Sequence, residues 1–348
     1  MHFTRSLIHI TKRALPLAVA LGVAFTATQA SAETLNVYSA RQEALIKPLL
    51  DRFTDNTGVE INLVTGKGDA LITRLATEGR NSPADLLLTT DAGRLYRAQE
   101  AGILQPVSSD ALREAVAPNL RSPDGLWYGL SVRARVMVVA PDRVDTDVLQ
   151  DYADLADPRW QGRLCVRSSG NIYNQSLVAG MLAHKDEAHV EAWLKGLVGN
   201  FARPPQGGDR DQIKAVAAGQ CDVALVNSYY LGAMLQSDNA GERQAAEQVT
   251  LVWPNQGNRG THINISGAGV IRASDQPRLA RSLIEFLVQK DSQRWYAETN
   301  HEYPVRDGVP VSELLESWGE FKADTLDVSE LGRLNARAVM AMDRADWK

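Results

Sequence analysis

From residue 34 onward the chain alternates short runs of β-branched and aliphatic residues with stretches of helical periodicity, and this alternation constrains the fold more than any other feature. Strand-like runs at 35–38, 59–64 and 84–89 are separated by helical stretches at 43–56 and 69–78. Strand, helix, strand, helix, strand is the pattern of a parallel α/β sheet. A further strand at 134–140 ends on the turn signal Pro141-Asp142. The alternation then restarts, with a strand at 164–166, helices at 175–184 and 187–196, and a strand at 223–226. The run 263–271, after a loop at 254–260, returns the chain to the first unit, and helices after Gln276 complete it. No internal repeat or low-complexity segment interrupts this order.

Two α/β units joined by a chain that crosses between them twice predict two lobes on a hinge, with a cleft between them. The expected division is 33–132 plus about 262–308 for the N-terminal lobe, and about 136–258 plus about 309–348 for the C-terminal lobe. Ligands of open α/β sheets sit outside the carboxyl ends of the strands, so 38–41, 89–91, 168–173 and 227–230 should converge on the cleft. Lobes of this kind close on a ligand by hinge motion.

Residues 1–32 stand apart from this pattern. Arg5, Lys12 and Arg13 make a basic start, 15–25 an apolar run broken by Pro16, and Ala30-Ser31-Ala32 a small-residue cleavage motif. These are the parts of an export signal, with cleavage after Ala32. The apolar run is about half the roughly 20 residues a membrane-spanning helix needs, so stable membrane insertion is not expected. The whole chain carries 37 Lys+Arg against 42 Asp+Glu, and the signal holds three of the basic residues and no acidic one, so the exported chain is the more acidic. Phosphate binding needs the opposite balance, which argues against a nucleic-acid partner and for a small ligand. Both cysteines, Cys165 and Cys221, lie in the exported part, where an oxidising compartment favours a disulfide between them. Loop closure over that span contributes about 4 kcal/mol.

Enzyme signatures are mostly missing: there is no H-E-x-x-H, no G-x-S-x-G and no P-loop, and Gly66-Lys67-Gly68 lacks the third glycine of a dinucleotide fingerprint. The exported histidines, His184, His189, His262 and His301, are scattered, and acidic neighbours make His184 and His189 read as a solvated face. A secreted hydrolase stays open as an alternative, because catalytic triads are defined by geometry and not by sequence order. The informative cluster is tyrosine. Tyr229-Tyr230 follows the strand at 223–226, and Tyr173 follows another strand through the loop 168–171. A phenol ionises near pH 10, so only a strongly polarising cation holds it as phenolate at neutral pH. Ferric iron is such a cation, and three phenolates would balance its charge. On residue chemistry alone, however, adjacent tyrosines at a helix start are more often packing or rim groups.

Several stretches, in order, resemble the periplasmic ferric-iron-binding proteins of bacterial ABC importers, which are extracellular solute-binding proteins of family 1. They are Asn36-Val37-Tyr38-Ser39-Ala40-Arg41, Gly66-Lys67-Gly68-Asp69-Ala70-Leu71, Ser82-Pro83-Ala84-Asp85-Leu86, Arg133-Ala134-Arg135-Val136, the stretch from Cys165 through Arg167-Ser168-Ser169-Gly170-Asn171-Ile172-Tyr173 to Ser176, and Asn227-Ser228-Tyr229-Tyr230. The resemblance implies a type II periplasmic binding protein, α/β and two-lobed, each lobe a mixed or parallel sheet flanked by helices. It implies that Tyr229 and Tyr230 bind Fe(III), that Tyr173 is a third ligand, and that Arg133, assisted by Arg41, meets a carbonate-like anion. Where members of the family carry a His or His-Tyr after the first strand, this chain has Gln42-Glu43, and where some carry a Glu after the third, it has Thr90-Asp91. The resemblance therefore points to a tyrosine-dominated site completed by anion or water, with Glu43 or Asp91 as substitute donors and Asp91 read in preference as a helix cap. The implied function is periplasmic capture of ferric iron by a monomer for delivery to an inner-membrane ABC permease, without catalysis. The alternative within the same fold is a binding protein for an organic ligand or oxyanion, anchored by Arg133 and strand-end hydroxyls.

Overall fold

A strand of twelve residues, β4 (Tyr128–Val139), is common to both lobes, and every one of its residues is buried. The computed structural model describes residues 1, 2, 4 and 33–348; the export signal read at 1–32 and its cleavage point otherwise lie outside the described residues. The remaining strands are β1 (Thr34–Ser39), β2 (Glu60–Thr65), β3 (Leu86–Thr90), β5 (Leu164–Cys165), β6 (Val223–Asn227), β7 (Thr250–Val252) and β8 (Ile263–Val270). Their order is β2-β1-β3-β8-β4-β6-β5, with β7 also on β4. The first half of β4, Tyr128 to Ala134, pairs antiparallel with β8, and the second half, Arg135 to Val139, pairs antiparallel with β6. The change of partner falls between Ala134 and Arg135, so β4 leaves one sheet and enters the other within a single peptide.

In the N-terminal sheet β1 pairs parallel with β2 and β3, as strand–helix alternation requires, whereas β8 lies antiparallel between β3 and β4. The sheet is therefore mixed. Its core gathers Leu35, Val37, Leu86 to Leu88, Val132 and Ile265 with helix residues such as Phe53 and Leu283. The second sheet is packed on both faces, and the alternation of strand side chains sorts the two cores. Met137, Val139 and Leu225 face one core with Leu177, Leu194 and Trp347, while Val136, Val138 and Val226 face the other with Ile213, Leu231 and Met234. The tail is shared, since Val328 and Leu331 pack into the first core and Leu334 to Trp347 into the second. Cys165 and Cys221 form a disulfide with Cα atoms 5.9 Å apart, tying β5 to the approach to β6.

Several sequence expectations shift in detail. β4 begins at Tyr128, ahead of the expected 134, because the buried Gly129, Ser131 and Arg133 interrupt an apolar reading of a strand that is nonetheless enclosed. Gly129 is required there, as a Cβ would lie 2.8 Å from the Leu120 carbonyl oxygen. The expected helix at 43–56 is a short 3-10 turn, Glu43–Leu45, followed by an α-helix, Lys47–Thr57, whose first turn holds Pro48. The helix expected from 175 starts at Ile172, capped by Asn171, which places Tyr173 in a first helical turn and not in a loop.

Candidate functional site

Arg133 and Arg135 stand two apart on β4 and so project to the same face, one on each side of the partner change. Arg135, 1% exposed, organises the C-terminal wall of the cleft. Its Nη1 donates to Asp209 Oδ1 at 2.7 Å and to Asn227 Oδ1 at 3.2 Å, and its Nη2 donates to Asn174 Oδ1 at 2.6 Å. Asp209 also accepts the Asn227 backbone N–H at 2.9 Å and Arg167 Nη1 at 2.5 Å. Asn174 follows Tyr173, and Asn227 is two residues before Tyr229, so this one buried ion cluster fixes both segments that carry the tyrosines. Asn171 caps the first segment by accepting the Tyr173 N–H at 3.1 Å. Tyr229 and Tyr230 open the helix Ser228–Leu235, with ring centroids 4.3 Å apart.

The three tyrosines line one cavity of about 180 Å³ together with Arg41, Arg133 and Glu302. Arg133 Nη2 donates to Tyr173 Oη at 3.0 Å and to Tyr229 Oη in a shorter contact, and the two phenol oxygens are 3.5 Å apart. The same guanidinium stacks over both rings, 4.8 Å from the Tyr173 centroid and 4.7 Å from that of Tyr229. Burial pushes the Tyr173 phenol up, but the Arg133 charge and the Tyr229 hydroxyl outweigh it and bring Tyr173 down to about 8. Tyr229 is held above its ordinary value by burial, against the pull of Arg133. Tyr230 is pushed up to about 12 by burial and by the Tyr173 and Asp209 charges. One phenol is thus poised to ionise near neutral pH beside two that need a cation to do so.

The N-terminal wall holds a carboxylate that the sequence reading missed. Glu302, 3% exposed, takes Arg41 in a fork, from Nη1 at 3.1 Å and Nη2 at 3.2 Å, accepts Ser131 Oγ, and lies 3.6 Å from Arg133 Nε. Arg41 therefore meets a protein carboxylate and also donates to Ser266 Oγ. Arg133 keeps Nε and Nη1 without a hydrogen-bond partner. Gln42 lines the cavity, and Glu43 is exposed in the adjoining 3-10 turn. Asp91 caps the helix Ala92–Glu100 by accepting the Gly93 N–H at 2.9 Å, and is further bonded by Ser176 Oγ and Asn264 Nδ2, each at 2.8 Å. His301, treated as scattered in the sequence, lines the same cavity. His184 is more than a solvated-face residue, because its Nε2 lies 2.8 Å from the buried Asp324. Among the described residues no group of three or more His, Cys, Asp or Glu side chains could hold a metal ion; the cavity's anionic-capable oxygens are three phenols and the single Glu302 carboxylate, which Arg41 and Ser131 engage.

Comparison with known proteins fits this architecture. The chain is 46% identical over 321 residues to Iron uptake protein A1 of Synechocystis sp., covering 92% of this chain and 89% of that protein. It is 30% identical to the Fe(3+)-binding periplasmic protein of Serratia marcescens, covering 90% and 92%. The solved structure of Trichodesmium IdiA (FutA) in complex with iron and citrate superposes with a TM-score of 0.88 at 48% identity, covering 90% of this chain and all of that one. The fold is that of the type II periplasmic iron-binding proteins, two lobes of mixed α/β structure. A family model described as bacterial extracellular solute-binding protein matches residues 81–327, and the chain belongs to that family.

Proposed function

We propose that this chain captures ferric iron in the cleft between its lobes and delivers it to an inner-membrane ABC permease. Tyr173, Tyr229 and Tyr230 supply phenolate oxygens, and a carbonate-like anion or water completes the sphere. The observation that carries this reading is the convergence of phenol oxygens on one buried cation, with Arg133 Nη2 bonded to Tyr173 and Tyr229 whose oxygens are 3.5 Å apart. A site that already holds phenols against a positive charge is suited to a harder, more strongly polarising one. The relatives named above as iron-uptake and Fe(3+)-binding proteins support the same cargo. Arg133 anchors the anion: a guanidinium cannot ligate a metal, and its Nη1, which has no hydrogen-bond partner, is free to donate to an oxyanion between it and the iron while Nε faces Glu302. Arg41, tied to Glu302, assists by holding that wall in place. The protein is a binding protein and not an enzyme. It works in the periplasm as a monomer after cleavage behind Ala32. The lobes are 33–132 with about 262–308, and about 136–258 with about 309–348, the tail lending Val328 and Leu331 to the first core.

The test is elemental analysis together with a visible spectrum of protein purified without chelator. Iron bound one to one, with a phenolate-to-iron charge-transfer band, is expected. A colourless protein that takes up no ferric iron but retains an organic acid or oxyanion would establish the alternative ligand class.

A further inference from the structure

The helix Lys290–Thr299 ends in a way that places an imidazole in the cleft. His301 adopts φ of 55°, in the left-handed region, where a helix-terminating residue is usually glycine or asparagine because other side chains add strain. If ending the helix were its whole role, glycine would serve better. The side chain is enclosed, at 4% exposure, and its Nδ1 has no hydrogen-bond partner. It lies against Gly232 of the opposite lobe: a Cβ built there would fall 2.8 Å from His301 Cβ and Cγ and 3.1 Å from Cδ2. Gly232 is three residues beyond Tyr229 on the helix Ser228–Leu235 and so shares its face. His301 thus crosses the cleft to rest on the helix that carries the tyrosine pair.

Unpaired buried polar atoms concentrate at this cavity. Arg41 Nε, Arg133 Nε and Nη1, Asn300 Oδ1 and His301 Nδ1 lack partners, and all four residues line it. Buried polar groups in native proteins are almost always paired, so such a concentration marks a place where a ligand completes the bonding. Of these groups, the arginines have no lone pair to offer a cation, Asn300 Oδ1 is a weakly basic neutral amide oxygen on a side chain tied by its Nδ2 to the Leu45 carbonyl at 3.0 Å, and the Glu302 carboxylate beside them is engaged by Arg41 and Ser131. Imidazole has a lone pair and is a common ligand of iron.

We propose that His301 is a ligand of the bound iron, giving the phenolate site one neutral nitrogen donor from the N-terminal lobe. This rests on the ferric-iron reading above and deepens it. The three tyrosines all belong to the C-terminal lobe, so a donor on the facing wall links metal binding to contact between the lobes. Being neutral, the imidazole leaves the charge balance between iron and three phenolates unchanged.

The experiment loads the full exported chain with ferric nitrilotriacetate and measures electron spin-echo envelope modulation. Wild type is compared with and without ¹⁵N-histidine labelling, alongside His301→Asn and His301→Gly, both of which suit the left-handed backbone. A histidine nitrogen coupling that changes on isotope labelling in wild type and vanishes in both variants is the expected result. Retention of iron against citrate should fall about tenfold or more in the variants, with the phenolate band shifted but present. The wild-type isotope comparison needs no variant to fold. A phenolate band without any histidine nitrogen coupling in wild type would refute the role of His301 while leaving the iron reading intact. A coupling that survives in both variants would assign the ligand to another histidine and equally refute it. A wild-type protein with neither band nor bound iron would instead overturn the iron reading.

Discussion

Arg133 does for the phenols what a metal ion would do: it holds the Tyr173 and Tyr229 oxygens together and favours their ionised form. The consequence should be measurable in Tyr173, whose phenol is brought down to about 8 because the Arg133 charge and the Tyr229 hydrogen bond together outweigh burial. Ultraviolet difference titration of iron-free protein should therefore find one tyrosine ionising near that pH, and Tyr173→Phe should remove it. Arg133→Ala should move the same step upward, since burial is then opposed only by the Tyr229 hydrogen bond. Arg133→Lys should restore only part of the shift, because a point charge lacks the planar fork that meets two oxygens. An unchanged step in Arg133→Ala would separate the phenol's ionisation from this guanidinium. For the proposed iron site, Tyr229→Phe or Tyr230→Phe removes an anionic oxygen but no ring, so the coloured species should be lost while the chain still unfolds cooperatively. Tyr173→Phe should weaken iron retention more mildly if an anion takes the vacated position. A Tyr229→Phe/Tyr230→Phe double variant that keeps its iron and its band would remove the tyrosines from the site.

At the scale of elements, the site depends on how β4 delivers two arginines to one face while it changes partner strands. Arg135 and Asp209, 1% and 0% exposed as side chains, tie the Tyr173 helix, the end of β6 and the helix Asp209–Ala217 together. Removing one member of a buried pair leaves the other charge unpaired, at a cost of about 3–5 kcal/mol. Asp209→Asn should accordingly lower the melting temperature and also weaken iron retention, since both tyrosine segments lose a common anchor. The Cys165→Ser/Cys221→Ser variant offers the contrast. Loss of the bridge should cost about 4 kcal/mol in thermal or denaturant unfolding but keep the metal, because the disulfide lies away from the cavity lining. Iron lost with the disulfide at temperatures where the variant is folded would contradict this separation. The sequence made seven of the eight described strands, the disulfide and the tyrosine positions legible because apolar runs, a cysteine pair and strand-end aromatics are local patterns, while the three-residue β7 is too short to show one. It hid Glu302 and His301 because they follow a helix unrelated to any strand end, and only the tertiary crossing of the tail brings them to Arg133 and Gly232. The early start of β4 was hidden for a related reason: its buried Ser131 and Arg133 are polar and become tolerable only when Glu302 and the tyrosines surround them.

For the whole molecule, acid acts on the fold and on the proposed cargo through different groups, and the two should separate on a pH scale. His262, where the chain crosses into β8, is held at about 3 by burial, with the charges of Arg259 and Arg135 acting in the same direction, against an ordinary value of 6.5. Between those values the unfolded chain binds a proton that the folded chain refuses, so stability falls as pH drops from about 6.5 toward 3. The steepest slope from this one residue is about 1.4 kcal/mol per pH unit. Asp222 and Glu302 add a later loss. Burial raises both, but Arg163 and Arg143 for the first and Arg41 and Arg133 for the second hold them below ordinary carboxylate values. Their contribution is present above about pH 4 and disappears as pH falls through their lowered values. Iron held by phenolates meets proton competition earlier, because burial holds the Tyr229 and Tyr230 phenols above their ordinary value and so favours their protonated form at neutral pH. Followed together on one acid titration, the charge-transfer band should therefore fade at a higher pH than tryptophan fluorescence reports unfolding. His262→Gln should flatten the unfolding limb between about 6.5 and 3 without moving the iron-release midpoint, since His262 does not line the tyrosine cavity. Iron and fold lost at one pH, or both shifted together by His262→Gln, would mean that release proceeds through unfolding and that the cleft has no proton-linked release of its own.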